Sequence, residues 1–182
     1  QDLSGGMNQA MFDLSKKGIT SLDEFATRLP ELENNGTAPS KVMWTDKTTG
    51  VIYPGAQLKH AIRKHNLTNE DLDNIQNGLN NITDVYTSKQ AEGRFHGIPI
   101  FGKFSKGDTL YFVCLEVRSD GTVVFLTASQ TNNDLYETYK KEHGSERLTP
   151  PNGAVPDSNH VPYNFSIQDL VERVKLKNKN IF

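Results

Sequence analysis

Cysteine is nearly absent from this 182-residue chain. The single Cys114 excludes an internal disulfide and a cysteine-based zinc cluster. It falls within Thr109-Leu-Tyr-Phe-Val-Cys-Leu-Glu-Val117, so it reads as a buried strand thiol. Long hydrophobic runs are missing too. The longest are strand-like, such as Val123–Leu126, far short of the roughly 20 residues of a membrane-spanning helix. Neither charge sign dominates: the formal net charge is -2 and the pI about 6.2, which is not the bulk cationic signature of a nucleic-acid binder. No Walker A loop, G-x-G-x-x-G, G-x-S-x-G or paired-Cys motif occurs, which argues against NTPases, dinucleotide oxidoreductases and α/β-hydrolases. The opening Gln1-Asp2-Leu3-Ser4-Gly5-Gly6 lacks a charged-then-apolar signal pattern. Because it begins on Gln rather than Met, the chain is expected to be a fragment or a processed product.

What is present is enough for one compact domain with extensions. Charge is distributed unevenly: residues 1–54 and 107–182 each carry -2, whereas residues 55–106 carry +2 and hold three of the five histidines. An anion site is expected in that middle third. Helical spacing of Met7, Ala10, Met11 and Leu14 predicts a helix over Met7–Lys16. Ser21-Leu-Asp-Glu24 opens a second helix as a capping box, with Pro30 expected to end or kink it. Asn34–Pro39 is a linker by composition, and the main domain boundary is placed there: an N-terminal arm at 1–37, a central domain at 38–148, and a C-terminal linker with a short helix at 149–182.

Within the central domain, Val42-Met-Trp44 and Val51-Ile-Tyr53 flank a polar, Gly-ended turn and predict a small hairpin. Helices follow at Ala56–His65 and after the capping sequence Thr68-Asn-Glu-Asp71. Strands are expected near Asp84–Ser88, Ile98–Phe104, Thr109–Val117 and Thr122–Ala128, the last three as an antiparallel meander. Asn132–Glu142 reads as a helix and Leu148–Pro162 as an irregular arm. The expected fold is α+β, with two helices packed on a four-stranded antiparallel sheet and helical extensions at both ends.

The strongest chemical cluster is Lys59-His60-Ala-Ile-Arg63-Lys64-His65. His60, Arg63 and Lys64 share one helix face, while His65 lies about 140° around from His60, on the apolar stripe. That separation does not suit one zinc ion, whose helical ligands sit at i and i+4, and there is no H-E-x-x-H. A cation-flanked imidazole does suit phosphodiester chemistry on RNA, which carries its own nucleophile in the ribose 2′-hydroxyl. A base removes that proton, an acid protonates the leaving 5′-oxygen, and cations stabilise the phosphate, with no metal or cofactor required. The bland alternative makes His65 a core histidine and the cations a solvated face.

The H-A-I-x-K-H pattern, the Leu67-Thr-Asn-Glu-Asp71 helix start, the Gly102-Lys103-Phe104 strand and the Val-Val-Phe-Leu-Thr-Ala-Ser129 strand together resemble the phage-associated barnase–EndoU–colicin–RelE-like (BECR) nucleases over about residues 50–142. The resemblance implies a metal-independent endoribonuclease of toxin or effector type. It maps His60, His65 and Lys64 onto the family's helix positions, and Thr127 and Ser129 onto the polar end of the last core strand. Lys103 and Lys106, with Arg63, become candidate phosphate ligands. It further implies an RNA substrate, with tRNA among the candidates, and a cognate immunity or antitoxin protein. The site of action would be the cytoplasm of the producing or target cell, after delivery within a larger secreted or phage protein. No membrane association is expected.

Ordinary roles compete at each position: strand-end hydrogen bonding for Thr127 and Ser129, solvated turn chemistry for Lys103 and Lys106. Tyr136, Tyr139, Lys140 and Lys141 could hold RNA, or the tyrosines could simply pack. Arg94-Phe-His96 offers a further imidazole, and His143 and His160 lie in polar segments. A catalytically inactive BECR-fold interaction module is the alternative function. An ADP-ribosyltransferase is disfavoured by the lack of a catalytic glutamate pattern.

Overall fold

The computed structural model describes residues 11–151 and 162–177. Its central feature is one eight-stranded mixed sheet, not the expected four-stranded antiparallel one. In chain order the strands are β1 (Phe12–Asp13), β2 (Val42–Thr45), β3 (Ile52–Pro54), β4 (Thr83–Ser88), β5 (Ile98–Lys106), β6 (Thr109–Val117), β7 (Val123–Thr131) and β8 (Gly144–Arg147). The order across the sheet is β1-β2-β3-β7-β6-β5-β4-β8. The predicted meander β5–β6–β7 is present and antiparallel, and β4 joins it antiparallel.

Besides the short parallel pairing of β1 with β2 at Phe12–Val42, two non-local pairings enlarge the sheet. The β2–β3 hairpin forms as expected, with Trp44 opposite Tyr53, but it does not stand apart. Ile52 pairs in parallel with Val124 and adds the hairpin to the β7 edge. The second addition is β8, which pairs with β4 on the far side. Neither junction has a local turn signal, because each joins segments tens of residues apart.

The helices are α1 (Leu22–Asn34), α2 (Gly55–His65), α3 (Asn69–Gly78), α4 (Asn133–His143) and α5 (Ile167–Lys177). Apolar side chains of α1, α2, α3 and α5 share one core with Ile100, Tyr111, Val113, Leu115, Phe125 and Ala128 from one sheet face. The opposite face carries α4, whose Tyr136 and Tyr139 rings meet Phe101 and Phe112. The helix at the N-terminal end and the helix at the C-terminal end therefore contribute to the same core as the middle of the chain.

Local chemistry explains most boundaries. Thr68 and Asp71 form the reciprocal capping box at the start of α3. Ser21 caps α1 by accepting from the Glu24 amide, but Glu24 in turn accepts from Thr20. Pro30 lies inside α1 without ending it, and the helix runs on to Asn34. The helix expected over Met7–Lys16 is not formed where it is described. Residues 7–10 lie outside the described residues, 12–13 are strand, and Leu14–Lys17 is a 3-10 turn. The Asp13 carboxylate accepts from the Ser15 amide, and Gly18 closes the turn at φ +92°, so one turn is all that forms. Most of the expected arm Leu148–Pro162 also lies outside the described residues, but Leu148, Pro150 and Pro151 are buried.

Candidate active site

A β-bulge sets up the site. Along β7, Val123 and Phe125 face the main core, and strict alternation would send Thr127 and Ser129 there too. The ladder to β6 slips between Cys114 and Leu115, so that Cys114 faces Thr127 while Leu115 faces Phe125. Leu126 is the extra residue. Beyond it Ala128 turns to the core, while Thr127, Ser129 and Thr131 turn to the α4 side. Bulges re-aim side chains in this way.

The three hydroxyls line a cleft of about 430 Å³ together with Phe112, the α4 residues Leu135, Tyr136, Thr138, Tyr139 and Glu142, and Lys64 and His65 from the end of α2. The strand β3 pairs with β7 at Ile52–Val124, and the chain then enters α2 at Gly55, which packs along β7. Because β3 runs parallel to β7, α2 is carried towards the Ser129 end. Its last turn therefore reaches around the strand edge into the cleft. Asn66 in the left-handed conformation (φ 52°) ends the helix there.

His65 is half-buried, and its ring titrates below the ordinary histidine value. Partial burial contributes most, followed by the charges of Lys64 and His60. The ring is consequently neutral at neutral pH, when it can accept a proton. Lys64 supplies an exposed ammonium at the same end of the cleft. Tyr139 keeps its phenolic proton, since burial and the nearby Cys114 push it up to about 12.

Four of the eight residues singled out in the sequence, Lys64, His65, Thr127 and Ser129, thus meet in one cleft. The other four do not line it. His60 is exposed on the outer side of α2, and Arg63 borders a separate groove against α1 with Leu29 and Pro30. Lys103 lies on the same sheet face and in the same transverse row as Ser129, through Phe112. Its ammonium is occupied 5.0 Å from the Tyr136 ring centroid. Lys106 is exposed at the β5–β6 turn, on the opposite strand parity from Lys103.

The weaker candidates separate as well. Both tyrosines line the cleft, but Tyr136 is almost fully buried packing, whereas Tyr139 is half-exposed. Lys140 is held by Asp84 at 2.9 Å and Glu137 at 2.8 Å, so its charge is already met. His96 pairs with Glu92 in an exposed loop. His143 stacks beside Tyr139, and His160 lies outside the described residues. Cys114 lies in β6 as expected but is half-buried, not fully buried, and loss of water around its thiol pushes it up to about 12.

Sequence reasoning missed Glu142, Thr131, Leu135 and Thr138. The α4 members were detectable in principle: Leu135, Thr138, Tyr139 and Glu142 recur at i, i+3, i+4 and i+7 on one helix face. An apolar residue as exposed as Leu135 is the cue that this face borders something other than the core.

Among the described residues no group of three or more His, Cys, Asp or Glu side chains is placed to hold a metal ion. Among them, too, no helix is long and apolar enough to cross a membrane. No family model matches the chain, and no curated protein or solved structure matches it.

Proposed function

We propose that the cleft cleaves RNA without a metal cofactor, with His65 as the proton acceptor and Lys64 as the phosphate ligand. The observation that carries this reading is the meeting of a half-buried imidazole, an exposed ammonium and two strand hydroxyls in one open cleft. His65 takes the proton from a ribose 2′-hydroxyl. The freed oxygen bonds to the adjacent phosphorus, and the bond from phosphorus to the 5′-oxygen breaks. The 5′-oxygen leaves as an alcohol after taking a proton from the charged ring or from water. The products are a 2′,3′-cyclic phosphate and a 5′-hydroxyl. Lys64 opposes the charge that builds on the phosphate oxygens, and Thr127 and Ser129 donate hydrogen bonds to them.

His60 has no place in this chemistry. Its charge acts on the His65 ring, while its own side chain lies outside the cleft. On this reading the substrate is met in a cytoplasm, and a producing cell needs an inhibitory partner for its own protection.

The test is incubation of total RNA with the purified chain in EDTA, beside His65→Ala and His60→Ala. The expected result is cleavage by the parent and by His60→Ala, with cyclic-phosphate ends, and its loss in His65→Ala. Abolition by EDTA, or undiminished cleavage by His65→Ala, overturns the mechanism.

A further inference from the structure

The two ends of the cleft differ in chemistry. At one end stand the Lys64 ammonium and the His65 ring. Along the other wall, α4 presents Leu135, which is 60% exposed, then the Tyr139 ring and the Glu142 carboxylate. An exposed leucine and a half-exposed tyrosine one helical turn apart form an apolar wall that the described residues leave open to the cleft.

The Tyr139 ring is also fixed. It meets Phe101 edge-on, with centroids 4.9 Å apart and planes at 86°, and Phe112 at 4.7 Å and 61°. The His143 ring lies 4.4 Å from it, tilted by 38°, so it packs over part of one face and leaves the cleft-lining side of Tyr139 to a ligand. These contacts hold the aromatic group in one orientation, so little ordering remains to be done when a flat ligand arrives.

We propose that the α4 wall is a nucleobase-stacking subsite, with Tyr139 as its platform, and that the substrate must therefore present an unpaired base next to the phosphate held by Lys64. This inference rests on the ribonuclease reading for the identity of the backbone at the other end. The charge layout fixes the direction in which a nucleotide lies. A phosphate is attracted to Lys64 and repelled by Glu142, so the base, not the phosphate, faces α4. The cleft volume of about 430 Å³ falls within the range of about 300–1,000 Å³ seen for small-molecule sites, which a single nucleotide can occupy. Every base has a π-face, so stacking selects for being unpaired rather than for one sequence. A base locked in a duplex has both faces covered and cannot reach the platform.

The experiment uses fluorescein-labelled all-deoxy octanucleotides, which lack the 2′-hydroxyl and are not cleaved. Anisotropy is measured for a base-bearing single strand, for the same backbone with abasic sites, and for the duplex. The proteins are the parent, Tyr139→Phe and Tyr139→Leu. The base-bearing single strand is expected to bind the parent about 5- to 100-fold more tightly than the abasic strand or the duplex. Tyr139→Phe should keep that preference, and Tyr139→Leu should lose it. Equal binding of abasic and base-bearing strands by the parent overturns the inference, as does failure of the base-bearing strand to bind at all. That comparison uses the parent protein alone, so it holds even if Tyr139→Leu does not fold. A base-dependent preference without cleavage of RNA leaves the platform standing and removes the ribonuclease reading. Cleavage of RNA by a protein indifferent to the bases does the reverse.

Discussion

The Tyr111 hydroxyl donates a 2.7 Å hydrogen bond to Oδ1 of Asp71. The same oxygen accepts from Gln130 Nε2 at 2.9 Å, while Oδ2 accepts from the Thr68 amide at 3.0 Å. One carboxylate thus closes the α3 capping box and fastens the helix start to β6 and β7, beside the loop that follows His65. Burial alone would raise its titration. The hydrogen bonds from Thr68, Tyr111 and Gln130 outweigh that and hold the carboxyl below the usual aspartate range. A carboxyl depressed in the folded state adds stability above its unfolded value near 3.9, and that stability drains away as pH falls through the lower, folded value. Asp71→Ala is expected to cost about 2–3 kcal/mol at pH 7. The difference from the parent should shrink in acid, as read by urea denaturation at pH 7 and pH 3.

The His65 ring should titrate below the ordinary histidine value, and Lys64→Gln should move it upward. Removing a neighbouring positive charge favours the protonated imidazole, so the direction is fixed by sign alone. An NMR titration of the ring measures it directly. If the ring is the proton acceptor, activity rises as pH climbs through that lowered value, and in Lys64→Gln the rising limb moves to higher pH. A downward shift in Lys64→Gln would contradict the electrostatics.

Lys64 and Lys140 should behave oppositely. Lys64→Ala is expected to weaken single-strand binding and reduce its salt slope by about one. Lys140 already bonds Asp84 and Glu137, and its side chain is 19% exposed. Lys140→Ala should leave the salt slope unchanged and lower stability by about 1–2 kcal/mol by freeing α4 from β4. Parallel salt titrations and thermal melts separate the two.

Gly93 lies against the Glu116 carboxylate, which is fully buried and receives the Phe95 and Gly97 amides at 2.8 Å each. A Cβ at Gly93 would overlap that carboxylate. Gly93→Ala is expected to destabilise by about 1–3 kcal/mol. At an uncrowded site the same change stabilises by roughly 0.4–1 kcal/mol, so denaturation decides between crowding and open space.

Pro30 deprives α1 of one hydrogen bond, to the Ala26 carbonyl four residues before it. Pro30→Ala is expected to raise stability by about 1–3 kcal/mol. A fall in stability would mean that the proline ring packs to greater advantage in the α1–α2 groove than the helix gains from the bond.

Sequence periodicity found most elements because their signals are local. The box at Thr68–Asp71 and the Asn132 cap mark helix starts, and the turns at Gly107 and Gly121 mark the β5–β6–β7 connections. It did not find the sheet's true width. The Ile52–Val124 contact joins residues with no shared turn, and a strand as short as Phe12–Asp13 has no period to detect. The candidate site was half legible. Lys64 and His65 stood out by residue type, and Thr127 and Ser129 only through the family resemblance, while the bulge at Leu126 that brings the hydroxyls to the α4 side leaves no mark in composition. Arg63 and Lys106 looked equivalent to Lys64 by charge, and only the direction of their side chains separates them.

The β3 strand stops after three residues, at Pro54. Had it continued alongside β7, main-chain pairing would have sealed the flank where His65 now enters. A naked strand border usually invites another chain to add itself, and here the chain turns into a helix that shields the border while leaving a doorway at its far end. The mouth of the cleft is thus a gap in the sheet's own masonry, kept open by the early end of one short strand.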